Sequence, residues 1–182
     1  KIEFLEYPKT FKDGRGVEVT LDEKPSRIVS TTLAIDEYLL ALVEPERVAA
    51  VTQYSTEPGI SNVASLTETI EIKIESVTSE LVLSLNPDLV LVPTYVNPEV
   101  LEQLDAAGVN TYQIKDDASF AGILAGLKEV AALVGEEEKA AEKLKVQNAV
   151  KAATEVALNA IPTKNTGETI ELPNSYVSED GI

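Results

Sequence analysis

Apolar positions along the chain switch between helical and extended spacing, and the stretch from Ser79 to Tyr95 shows the switch most clearly. Leu81, Val82 and Leu85 fall on one helical face, with Ser79 and Glu80 placed where a cap and a first-turn acid suit orphan amides and the helix dipole. Pro87 ends that helix, because its ring disfavours helical geometry at Asn86 and cannot continue the hydrogen-bond ladder. Leu89 to Val92 then form an unbroken apolar run, the pattern of a strand covered on both faces by helices. Pro93, Thr94 and Tyr95 therefore lie at the carboxyl edge of that strand, where open α/β sheets bind ligands.

The same reading extends in both directions. Residues 3–20 predict a hairpin, with Phe11 and the alternating Val17, Val19 and Leu21 flanking Asp13-Gly14-Arg15-Gly16. Arg27 to Ser30 predicts a strand, Leu33 to Val43 a helix, and Arg47 to Thr52 a second strand, followed by a polar, turn-rich segment to about Ile70. Pro98 to Ala107 predicts a helix stopped at Gly108, Val109 to Ile114 a strand, and Ser119 to Val134 a long helix stopped at Gly135. The acid-led stretch from Glu136 to about Asn159 predicts one more helix, long and rich in alanine. Strands alternating with helices imply an α/β fold with a parallel sheet and flanking helices, preceded by the hairpin.

Composition narrows the chemistry. Hydrophobic residues make up 44% of the 182 positions, enough for a sizeable core, yet no apolar run approaches the length of a membrane span. With 15 basic and 31 acidic residues, the net charge of −16 repels phosphate backbones and excludes nucleic acid as a partner class. Cys, His, Met and Trp are all absent. Thiolate and imidazole metal sites are therefore excluded, as are catalytic triads built on His. No nucleophile elbow and no phosphate loop occurs, so the chain is not expected to be an enzyme.

Three loops are expected to converge at the carboxyl edge of the sheet. They carry Thr31 and Thr32 after the first strand of the sheet, Gln53 and Tyr54 after the second, and Thr94 and Tyr95 after the third. Hydroxyls, an amide and phenol rings on such an edge suit one wall of a ligand cleft. The competing reading is ordinary turn chemistry, with Thr31 or Thr32 capping the helix that begins at Leu33. Arg27 and Arg47 precede strands and belong to the opposite edge, where structural pairing is expected. Asp36 and Glu37 are read as solvated charges on an early helical turn, and Glu136 to Glu138 as acids at a helix start.

Asp13 to Val19, then Pro25 to Ser30, the helix after it, Arg47 to Val51, and finally Glu80 to Val92 stand in an order that resembles the substrate-binding proteins of ABC importers for iron-siderophores, haem and cobalamin. The resemblance implies two small α/β lobes joined by a long helix, with ligand gripped between them. On this basis residues 1–134 are the N-terminal ligand-binding lobe, 135–160 the connecting helix, and 161–182 a fragment of a second lobe or a disordered tail. The second lobe is expected to be missing or fragmentary, because a typical domain needs about 100 residues. The resemblance also implies that Glu80, seven residues before Pro87, docks on arginines of a membrane permease. It implies a monomeric, extracytoplasmic receptor, in a periplasm or lipid-anchored at a cell surface, with no resident cofactor. The ligand expected is a ferric siderophore, with haem held through Tyr95, or cobalamin, as alternatives. A protein-interaction or sensor module reusing the lobe is the competing function.

Overall fold

The computed structural model of the protein describes residues 7–148 other than 116 and 147. Two strands, β1 (Lys9–Lys12) and β2 (Glu18–Leu21), pair antiparallel as the hairpin, with Lys12 opposite Glu18. Gly16 takes a φ of 82°, which only the missing side chain makes inexpensive, and Asp13 braces the turn by accepting from the amides of Arg15 and Val17, each at 2.9 Å.

The remaining five strands are β3 (Ile28–Ser30), β4 (Val48–Thr52), β5 (Ile72–Ile74), β6 (Leu89–Val92) and β7 (Thr111–Gln113). They form one parallel sheet in the order β5-β4-β3-β6-β7. The helices are α1 (Leu33–Leu42), α2 (Ser79–Ser84), α3 (Pro98–Ala106) and α4 (Phe120–Val134). Residues 137–146 are also helical; residues 147 and 149–160 of the expected connecting helix and the tail from 161 lie outside the described residues.

Alternation along each buried strand sends successive side chains into two cores. Ile28, Leu89 and Leu91 pack against α1, α4 and the hairpin. Val29, Val90 and Val92 pack against Val82 and Leu85 at α2 and against Val100, Leu101 and Leu104 of α3. A register shift between Ile28 and Val29 inserts Ala49 into β4, so that Val48 and Val51 reach the same layer despite their odd spacing.

Two details differ from the sequence expectation. The cap of α2 is Thr78, whose Oγ1 accepts from the Leu81 amide at 3.2 Å, while Ser79 is buried and bonds Gln103. The second is β5, an edge strand expected from no feature of the turn-rich segment before it. Ile72 to Ile74 is short, interrupted by Lys73, and paired on one side only, by β4.

The amino edge of the sheet is closed by ion pairs and carbonyl contacts. Arg47 donates to the Pro25 and Val134 carbonyls and reaches Glu136 at 2.7 Å, and Lys24 reaches the same carboxylate at 2.8 Å. Arg27 donates to the Leu85 carbonyl through Nε, and Lys9 pairs with Glu137 at 2.7 Å. The structural roles expected of Arg27 and Arg47 are those observed. No helix among the described residues is long and apolar enough to cross a membrane.

Candidate functional site

The chain lays β3, β4 and β5 outward in one direction, then returns to place β6 on the other side of β3. The loops leaving β3 and β6 thus diverge to opposite faces, and a crevice opens between them at the carboxyl edge. Thr32 leaves β3 and Tyr95 leaves β6, and their hydroxyls share a hydrogen bond of 2.9 Å across that crevice. Thr32 occupies the cap position of α1 yet makes no side-chain cap bond, so its hydroxyl is committed to Tyr95 and not to its own helix. Tyr95 is 70% exposed above that bond.

The other expected residues divide. Thr31 is buried, and its Oγ1 donates to the Leu91 carbonyl at 3.0 Å, tying β3 to β6 beneath the crevice. Thr94 is exposed beside Tyr95. Gln53 is half-buried, and its carbonyl accepts from the Thr56 hydroxyl at 2.7 Å within the turn after β4. Tyr54, on the same turn, is 52% exposed. Edge position therefore brings Thr32, Tyr54, Thr94 and Tyr95 to one surface, with Thr31 below as a brace. Glu80 is exposed in the first turn of α2, which also starts from the carboxyl edge, and it has no ion-pair partner among the described residues.

Asp36 is the residue the sequence reading misplaced. It is fully buried on α1, with Oδ2 accepting from the Thr52 amide at 3.0 Å and from the Thr52 hydroxyl at 2.6 Å. Its Oδ1 has no partner. Burial pushes its carboxyl above the usual range, while the hydroxyls of Ser30, Thr52 and Ser55 pull against that shift. Asp36 latches α1 to the end of β4 and so fixes where the turn bearing Tyr54 begins. The signal lay in the spacing: Asp36 stands four and seven positions before the buried Leu40 and Val43, inside the apolar stripe. Glu37, half-buried next to it, accepts from the Asn62 amide at 2.9 Å.

The crevice holds a depression of about 50 Å³ lined by Thr32, Tyr38, Tyr95, Ile114, Lys115 and Asp117. Sites that enclose a small molecule span about 300–1,000 Å³, so this depression alone encloses none. A larger open hollow of about 520 Å³, between residues 56–68 and Lys73, draws no lining residue from β3 or β6 and lies off the switch point. Among the described residues no group of three or more acids could hold a bare metal ion.

A family model described as periplasmic binding protein matches residues 28–171. A cobalamin-binding protein of Halobacterium salinarum is 26% identical over 129 residues, covering 71% of this chain and 34% of that protein. An uncharacterized ABC transporter substrate-binding lipoprotein of Bacillus subtilis, YvrC, is 28% identical over 142 residues, covering 76% of this chain and 44% of that protein. The chain thus spans less than half the length of these relatives. Among solved structures, the haem binding protein HmuT superposes with a TM-score of 0.60 at 22% identity, covering 76% of this chain and 45% of that one. An ABC-type Fe3+-hydroxamate transport protein from Saccharomonospora viridis gives 0.62 at 23% identity, covering 85% and 58%. At these identities the two structures establish a shared fold.

Proposed function

The chain belongs to the periplasmic binding protein family, and on that premise we propose that it forms one wall of the cleft of an extracytoplasmic solute receptor that hands an iron chelate or related metal-organic ligand to an ABC importer. The observation that carries the reading is the Thr32–Tyr95 hydrogen bond spanning the switch point, with Tyr95 exposed above it. Flat aromatic and hydroxyl surface at such a crevice suits a bulky ligand that already satisfies its own metal, and no donor cluster for a naked ion stands there among the described residues. The role is binding and release. Glu80 supplies the second half of the proposal: an exposed, unpaired acid on the same sheet edge is available to permease arginines and would set encounter rate and orientation more than affinity.

The test is titration of the protein with a ferric trihydroxamate, haem and cobalamin, followed by tyrosine fluorescence, alongside Tyr95→Ala. Replacing Tyr95 should weaken binding of the accepted ligand about tenfold, as loss of one aromatic contact costs on the order of 1–1.5 kcal/mol, and leave the far-UV circular dichroism unchanged. Equal affinity in the variant, or no binding of any of the three, would refute the assignment. Glu80→Ala should bind ligand normally and associate more slowly with permease in vesicles.

A further inference from the structure

The charge of the cleft wall extends the reading above, on which this inference rests, to the class of ligand. All three arginines are committed to the protein's own structure. Arg15 holds Asp13 and Asp105, each at 2.7 Å, and also donates to the Thr111 carbonyl. Arg27 and Arg47 are consumed at the amino edge of the sheet by backbone carbonyls and Glu136. Lys73, on edge strand β5, has its ammonium turned onto the Thr67 and Ile70 carbonyls.

What remains on the carboxyl edge among the described residues is a single cation, Lys115, which shares its depression with Asp117. Against it stand Glu57, Glu75, Glu80, Glu99 and Asp117, each on a segment leaving a strand of this edge and each exposed. Asp117 is held below the usual carboxylate range by the Ser119 hydroxyl and amide, which favours its ionised form. Lys73 keeps its charge while bonded to neutral carbonyls, so five acids against two ammonium groups leave an excess of three negative charges with no guanidinium to offset them.

We propose that this wall selects a metal chelate of neutral or positive net charge and rejects multiply anionic ones. A trianion about 10 Å from an excess of about three negative charges in water is disfavoured about fivefold at physiological ionic strength, where the Debye length is about 8 Å. The same arithmetic gives about a hundredfold at 0.01 M, where the Debye length is about 30 Å. Salt dependence thus separates charge selection from a poor steric fit, which salt does not change.

The experiment compares an uncharged ferric trihydroxamate with a trianionic ferric tris-catecholate on the intact protein at 10 and 150 mM salt, by fluorescence titration. The expected result is preference for the neutral chelate, with a gap that widens about tenfold or more at low salt. The double variant Glu57→Gln and Glu75→Gln, on exposed side chains outside the Thr32–Tyr95 crevice, should narrow the low-salt gap severalfold and leave affinity for the neutral chelate unchanged. Equal or tighter binding of the trianion, or a gap insensitive to salt, overturns charge selection and leaves the receptor reading standing. Failure of both chelates, haem and cobalamin to bind overturns both.

Discussion

Replacing Asp36 tests how the carboxyl edge of the sheet is anchored. Its carboxylate is fully buried and gives Oδ2 to two donors of Thr52, with Oδ1 left unpaired. Asp36→Asn keeps an acceptor for both donors, removes the buried charge and supplies an N–H₂ where Oδ1 found no partner. Asp36→Ala strands a buried backbone amide and a buried hydroxyl, each costing about 1–3 kcal/mol. The alanine variant should therefore be less stable than the asparagine variant by about 2–4 kcal/mol in urea unfolding followed by circular dichroism. The pH dependence has a definite sign. Burial raises the folded-state carboxyl above its unfolded value, so the native state binds the extra proton. The favourable contribution of the native carboxyl is complete below the unfolded value near 3.9 and is lost as pH climbs through the raised folded value. The stability of the wild type minus that of Asp36→Asn should thus fall as pH rises above about 4 and level off once pH exceeds the raised folded value. A difference that rises with pH, or alanine and asparagine variants of equal stability, would refute the reasoning.

Asp13 should behave in the opposite sense. Burial pushes its carboxyl up, but the Arg15 side chain and the amides of Val17 and Gln113 outweigh that and hold it below the usual range. Its contribution is present above about pH 4 and lost as acid carries the pH down through the folded value, so acid unfolding of Asp13→Asn should lack that segment of the curve. Arg47→Met leaves the Pro25 and Val134 carbonyls without their donor and Glu136 with Lys24 alone, and should cost about 2–4 kcal/mol in urea unfolding without altering ligand affinity.

Most of the sheet was legible because a strand buried on both faces leaves an uninterrupted apolar run, as Leu89 to Val92 does, and a helix over a sheet leaves a stripe, as Val100, Leu101 and Leu104 do. Strand β5 was hidden for the complementary reason. An edge strand paired on one side needs little apolar surface, and Lys73 interrupts it because its ammonium satisfies nearby carbonyls. The cap of α2 was displaced by one residue because Thr78 and Ser79 are equally suited to the position; burial of Ser79 against Gln103 decides between them. Thr31 and Thr32 posed the same ambiguity in the crevice. Adjacent side chains at a strand end point to opposite sides, so one hydroxyl turns inward to Leu91 and the other outward to Tyr95. Sequence identifies the pair; only the register of β3 against β6 assigns the roles.

The two edges of the sheet divide the work of the protein, and the division accounts for where its charges stand. At the amino edge, Arg27 and Arg47 satisfy carbonyls from the ends of α2 and α4, groups that would otherwise be orphaned at helix termini. Fixing those termini aligns the helices that cover both faces of the sheet, and so fixes where β3 and β6 emerge on the far side. At the carboxyl edge the polar groups do the reverse: Tyr54, Thr94 and Tyr95 remain exposed, and the acids there have no arginine to meet. Guanidinium groups spent on rigidity are unavailable for recognition. A sheet edge built in this way gains a fixed crevice and keeps no guanidinium with which to attract anions, so the selectivity proposed above rests on the anchoring of the opposite edge.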